Sequence, residues 1–224
     1  MIISRREFLA GAAGSLSIQP SEGGTYPLGF GTHRDGLVFV PARYRPGTAA
    51  PLLLLFHGAG GSASRASAWF PLADEYGIVM LAPDSRDERS WDAVLGGWGP
   101  DLEFAARALR HTVDRWSIDR SRMCVAGVSD GASYALSFGI GAGDVFSHVT
   151  AFSPGLMRPR SAQGRPRVFV SHGTRDAVMP IDETSRRFVP ALRNLGYDVT
   201  YREYEGGHAV PEPVVREAFG WFAK

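Results

Sequence analysis

Short apolar runs alternate with stretches of helical period from about residue 36 onward. The runs Leu37–Val40, Leu52–Phe56, Ile78–Ala82, Met123–Ala126, Val149–Phe152, Val168–Ser171 and Val199–Tyr204 read as strands, and their apolar character predicts burial on both faces. Between them, Asp101–Trp116 places Leu102, Ala105, Ala106, Leu109, Val113 and Trp116 on one face and Arg107, Arg110 and Asp114 on the other, the pattern of an amphipathic helix. Asp101, after Gly99-Pro100, reads as its N-cap. Further helices are predicted at Arg65–Tyr76, Ala132–Gly139, Asp182–Leu195 and Pro211–Phe222, with surface loops at Leu95–Pro100 and Ser153–Pro166. Alternation of this kind predicts an α/β fold, a mostly parallel sheet with helices on both faces. No repeat or interdomain linker interrupts it, so residues 34–224 are expected to form one domain, with little length left over for a cap domain.

Composition removes several chemistries. A net charge of +1 offers no clustered basic excess for phosphates, so nucleic acid is not expected as a partner. Lys224 is the single lysine, which leaves no candidate for a Schiff-base or phosphate-loop lysine. Cys124 is the single cysteine and lies within a predicted strand, where it reads as a small core residue rather than a second nucleophile. The six histidines are never closer than 24 residues, so no local zinc motif exists and no metal is predicted. No stretch approaches a membrane span, and stable membrane insertion is not expected. Residues 1–20 contain Ser4-Arg5-Arg6-Glu7-Phe8-Leu9 and a Gly/Ala-rich run to Ile18, which resemble a bacterial twin-arginine export signal. That resemblance implies a periplasmic or extracellular protein; the alternative is an N-terminal helix on a cytoplasmic one.

The most informative motif is Gly127-Val128-Ser129-Asp130-Gly131, which follows a predicted strand and precedes a predicted helix. A sharp strand-to-helix turn would lift Ser129 Oγ clear of the sheet at a helix N-terminus, whose free amides favour developing negative charge. A serine nucleophile needs a base, and the base needs a carboxylate to hold its tautomer. His208, in the glycine loop after Val199–Tyr204, and Asp176, after Val168–Ser171, complete the set in the chain order Ser129, Asp176, His208 expected of an α/β-hydrolase. Among the competitors, Asp182 reads as a helix cap, Glu205 lies too near His208 in sequence, and Asp84 breaks the chain order. His57 and His172 each read as histidines hydrogen-bonding loop backbone. The loop His57-Gly58-Ala59-Gly60-Gly61 suggests an oxyanion hole built from the amides of Ala59 and Asp130. The same loop permits a rival reading: Gly58-x-Gly60-x-x-Ala63 with Asp84 on the next strand loosely matches a dinucleotide fingerprint, which would make the chain an NAD-dependent dehydrogenase.

Taken together, the His57-Gly58 loop, Ile118-Asp119, GxSDG at 127–131, His172-Gly173-x-x-Asp176 and Gly207-His208 resemble the α/β-hydrolase esterases, specifically the phospholipase/carboxylesterase and polyhydroxybutyrate-depolymerase-like group. The likeness runs over about 34 to 222. It departs at Ala132, where many relatives carry a second glycine, and no polymer-binding domain is attached. The resemblance implies a Ser-His-Asp triad hydrolysing small soluble carboxylic esters without a cofactor, with lysophospholipase or acyl-thioesterase action as alternatives. A noncatalytic α/β-hydrolase-like binding protein is the alternative of another class. Trp91, Trp98, Met157, Val178 and Met179 are the expected walls of the acyl site, from loops at the same sheet edge. The loop between Phe152 and Val168 carries Arg158, Arg160, Arg165 and Arg167, too polar for a lipase lid and a candidate contact for an acidic substrate.

Overall fold

The computed structural model describes residues 22–31 and 33–224; the twin-arginine-like segment at residues 1–20 lies outside them. Among the described residues eight strands form one sheet in the order β1-β2-β4-β3-β5-β6-β7-β8. They are β1 (Gly24–Pro27), β2 (Gly36–Val40), β3 (Ala50–Phe56), β4 (Val79–Pro83), β5 (Ile118–Val128), β6 (His148–Phe152), β7 (Arg167–Gly173) and β8 (Val199–Tyr204). The pairs β1/β2 and β2/β4 are antiparallel and every other pair is parallel. All seven expected strands are present. The eighth, β1, was not expected, because Gly-Thr-Tyr-Pro shows no apolar run; its pairing of Gly24 with Val40 places the start of the domain before residue 34.

The period of two along β3 divides the core. Leu52, Leu54 and Phe56 pack with Leu102, Ala105, Leu109, Ala135, Phe138 and Leu192, while Leu53 and Leu55 pack on the opposite face with Leu72, Ala73, Val215 and Phe219. The helices are α1 (Phe70–Tyr76), α2 (Asp92–Leu95), α3 (Pro100–Arg115), α4 (Asp130–Gly141), α5 (Ser185–Asn194) and α6 (Glu212–Ala223). Thus α3, α4 and α5 cover one face, and α1 and α6 the other. No separate cap domain is present among the described residues.

Three helix expectations need correction. The single helix expected over Arg65–Tyr76 is a 3-10 turn, Ala63–Trp69, followed by α1, because Pro71 has no N–H and fits only a first helical turn. Asp182 does not cap α5, which begins at Ser185; its carboxylate meets Arg186 on the surface at 2.8 Å. Asp101 is not the N-cap of α3 either, since Pro100 takes the first turn and Gly99 the cap. Instead, buried Asp101 accepts Arg86 N–H at 2.5 Å and Asp92 N–H at 2.6 Å. Asp92 in return accepts the N–H groups of Gly99 at 2.9 Å and Asp101 at 2.8 Å. Burial pushes the Asp101 carboxyl up to about 6.

Helix α4 lies so close to the sheet that a Cβ on Gly139 would come within 2.5 Å of Val149 Cγ2 and 2.7 Å of Val125 Cγ1. Gly139→Ala would gain about 1 kcal/mol of helix propensity. It would lose about 1–3 kcal/mol by overpacking against two stiff β-branched side chains. We expect net destabilisation, read as a lower denaturant midpoint; an unchanged or higher midpoint would show that α4 can draw back from the sheet.

Candidate active site

Ser129 sits between the end of β5 and the start of α4 with φ 56° and ψ −121°, a positive φ rare for a residue with a side chain. Its flanking glycines are required by backbone proximity. A Cβ on Gly127 would lie 2.1 Å from Gly131 O, and one on Gly131 would lie 2.2 Å from Phe56 O at the end of β3. The turn is tied down by Ser129 N–H to Phe152 O at 2.9 Å and Ser133 N–H to Ser129 O at 3.0 Å.

Residues far apart in the chain meet at this turn. His208 Nε2 lies 2.8 Å from Ser129 Oγ, and His208 Nδ1 lies 2.6 Å from Asp176 Oδ2. The other oxygen of Asp176 accepts the N–H groups of Val178 at 2.9 Å and Met179 at 2.8 Å. Burial alone would raise the Asp176 pKa, but the hydrogen bonds from Met179, His208 and Val178 outweigh it and hold the carboxyl below 3.8. An ionised Asp176 accepts a hydrogen bond from His208 Nδ1–H, which leaves Nε2 with a lone pair facing the Ser129 hydroxyl. The loops carrying His208 and Asp176 touch because Gly173 has no Cβ, which would sit 2.4 Å from Gly207 O. Tyr204 Oη donates to Ala209 O at 2.6 Å and fastens the His208 loop to its own strand.

Around this relay lies a shell of side chains that organise backbone. As expected, His172 binds a loop: its Nε2 is 2.7 Å from Met179 O, and its Nδ1 is 2.7 Å from Ser185 Oγ. Sequence reasoning missed that the same Nε2 is 3.2 Å from Asp176 Oδ2. His57 likewise serves its own loop, with Nδ1 2.8 Å from Gly58 O and Nε2 accepting Ser85 N–H at 3.1 Å. Burial, assisted by the charge of Arg34, lowers the His57 pKa and keeps the ring neutral. Arg34, also missed, donates to Ser85 O at 2.6 Å and to Gly61 O at 2.7 Å, while Trp91 Nε1–H donates to His57 O at 2.8 Å. In this loop the Gly60 N–H reaches Arg89 O and the Gly61 N–H reaches Gly58 O. The Ala59 N–H has no acceptor among the described residues. As the first residue of α4, Asp130 has an N–H with no helical partner four residues back.

Asp84 is not placed as a ribose-binding acid. Its two oxygens accept Ala63 N–H at 2.6 Å and Asp35 N–H at 3.1 Å, and the glycine loop runs into a 3-10 turn rather than an α-helix N-terminus. Glu205 faces Arg175 at 3.6 Å on the surface. Cys124 is buried against Thr150, and burial pushes its thiol up to about 12, which agrees with a core role.

A cavity of about 340 Å³ opens beside the relay, lined by Gly58, Ala59 and Val128 on the Ser129 side and by Leu55, Phe56, His57, Gly61, Ser62, Ala63, Arg65, Ala66, Trp69, Ala82 and Val210 beyond. None of the five expected wall residues lines it. Trp91 is buried in the core beside Phe56 and Tyr134, and Trp98 packs on Tyr134. Met157 packs against the core, Met179 lies against Gly155, and Val178 is 63% exposed. Trp91 and Trp98 flank α2, Met157 follows β6 and Val178 and Met179 follow β7, whereas the cavity is walled largely by the 3-10 turn after β3, a segment whose apolar residues read as ordinary helix. None of Arg158, Arg160, Arg165 and Arg167 lines the cavity either; Arg165 lies over Tyr197 and Arg167, at the start of β7, pairs with Asp198 at 3.0 Å.

No protein-family model and no curated protein matches the sequence. Solved structures do match the fold. A fluorophosphonate-binding serine hydrolase of Staphylococcus aureus, FphF, with substrate bound, superposes with a TM-score of 0.73 at 14% identity, covering 91% of this chain and 100% of that one. The carboxylesterase of Bacillus cereus gives 0.64 at 22% identity, covering 86% and 94%. A ferulic acid esterase of Anaeromyces mucronatus, in complex with ferulic acid, gives 0.62 at 16% identity, covering 96% and 93%. The chain therefore has the α/β-hydrolase fold. No helix among the described residues is long and apolar enough to cross a membrane.

The depressed pKa of Asp176 has a sign. Its contribution to stability is fully present above the ordinary value of 3.8 and is lost as pH falls through the lower folded-state value. Asp176→Asn should cost about 1.5–3 kcal/mol at neutral pH. The gap in denaturant midpoint between parent and variant should narrow as pH drops below about 4. A gap independent of pH would mean that the carboxylate is not the group held by these bonds.

Proposed function

We propose that the chain is a serine hydrolase that cleaves carboxylic esters of small soluble substrates through Ser129, His208 and Asp176. The observation that carries this reading is the continuous relay of 2.8 Å and 2.6 Å contacts standing on a positive-φ turn beside the uncommitted amide of Ala59. In the proposed mechanism His208 Nε2 takes the Ser129 proton as Oγ attacks the ester carbonyl, and Asp176 stabilises the imidazolium. The oxyanion is received by the N–H groups of Ala59 and Asp130. Collapse expels the alcohol with the proton from His208, and water then repeats the sequence on the acyl-enzyme. Completeness of the relay favours catalysis over a binding-only role. The ester-cleaving names of structural neighbours, including the ferulic acid esterase, support the ester class. Acyl-thioesterase or lysophospholipase action would run on the same groups. For localisation, the Ser4–Leu9 pattern supports export.

Purified protein should hydrolyse p-nitrophenyl esters of short acids and be labelled by a fluorophosphonate probe. Ser129→Ala should abolish labelling and lower turnover by on the order of 10⁴-fold while leaving the circular dichroism spectrum intact. A folded Ser129→Ala protein that keeps its activity would overturn the assignment.

A further inference from the structure

The cavity beside Ser129 is apolar along most of its wall, through Leu55, Phe56, Ala63, Ala66, Trp69 and Val210. Its lining contains no carboxylate, and burial lowers the pKa of its one titratable ring, His57, disfavouring the charged form. Arg65 is the one permanently charged side chain of the lining. It lies in the 3-10 turn between Ala63 and Ala66, both buried against the core, while Arg65 itself is exposed. Its aliphatic stem can follow the cavity wall while the guanidinium stays in water at the mouth. Other arginines near the relay are committed: Arg34 to backbone carbonyls, Arg89 to Asp87, Arg175 to Glu205. Arg65 makes no ion pair or side-chain hydrogen bond among the described residues.

The position of the cavity assigns the part of the substrate it receives. It adjoins Ala59, whose N–H is the proposed oxyanion donor, and Val128, the residue before Ser129. A carbonyl held between that amide and Oγ would direct its acyl substituent along this wall. At about 340 Å³ the space is at the lower end of small-molecule sites, roughly 300–1,000 Å³. We infer that it receives a short acyl chain ending in a carboxylate, with Arg65 pairing that terminal anion, so that the preferred substrates are half-esters of short aliphatic dicarboxylic acids. This rests on the proposed ester hydrolysis and names the substrate class of the same site. An exposed guanidinium is screened by water and salt, so the discrimination is modest, roughly fivefold at low ionic strength, and declines as salt is added.

The test compares kcat/KM for mono-p-nitrophenyl glutarate with that for p-nitrophenyl valerate, two acyl chains of equal length, each rate normalised to uncatalysed hydrolysis. The parent should favour the half-ester, with a ratio that shrinks at high salt. Arg65→Gln should bring the ratio near one, Arg65→Glu should invert it, and Arg65→Lys should keep most of it. A parent ratio of one or below, or a ratio unchanged by Arg65→Gln, overturns the inference. If the parent cleaves neither ester and Ser129 resists fluorophosphonate, the proposed hydrolysis fails instead. The cavity is then judged by calorimetry with free glutarate and valerate: glutarate binding weakened by Arg65→Gln sustains the anion preference, and equal binding of both acids removes it.

Discussion

Three backbone segments crossing at van der Waals distance, the end of β3, the end of β5 and the start of α4, are the constraint on which the structure turns. Phe56 pairs with Gly127 in the parallel register of β3 and β5, and the carbonyl oxygens of Phe56 and Gly131 occupy the space that side chains at 131 and 127 would need. The tight crossing drives Ser129 into positive φ, a conformation costing on the order of 1–3 kcal/mol. What offsets it is α4, buried over nearly its whole length, with glycine again at its closest approach to β5 and β6. Core packing and the raised hydroxyl are therefore one design: the helix cannot settle on the sheet without lifting Ser129 above it.

The loops at the same edge are fixed differently, by buried and half-buried polar side chains that bind backbone. His57, Arg34, Asp84 and Trp91 each hold a peptide group of the loop after β3 or its neighbours. Asp176 and His172 do the same for the turn after β7. Such bonds contribute little net energy each, but leaving a fully buried partner unpaired costs about 1–3 kcal/mol. Each loop is accordingly held to one conformation, and the amide of Ala59 is presented without competition from a neighbouring carbonyl.

How much of this was legible in the sequence depends on the range of the interaction. The seven apolar strands could be read because burial on two faces leaves a continuous local signature, and the glycines at 127 and 131 because the turn they permit is local too. Ser129, Asp176 and His208 could be chosen because each follows a strand that ends at the same edge. β1 was invisible, since Gly24–Pro27 is a strand only through its pairing with β2. Arg34 and the contact of His172 with Asp176 gave no signal, because nothing near those residues in the chain marks their partners. The walls of the cavity beside the relay were misplaced for a related reason. Ala63, Ala66 and Trp69 look like one face of an ordinary helix, and only the break before Pro71 turns them toward the cavity.

The sheet order also carries a consequence for how the molecule can lose its integrity. Ser129 is borne by β5, Asp176 by β7 and His208 by β8, with β6 between the first two and the loop of Ala59 on β3 at the other side. Contacts of 2.8 Å and 2.6 Å across β5 to β8 exist only when those four adjacent strands are in register at once. A molecule with a frayed β8 or a slipped β6 keeps most of its core and none of its relay. The relay geometry is thus an all-or-none mark of the assembled sheet, present in intact molecules and lost in partly ordered ones.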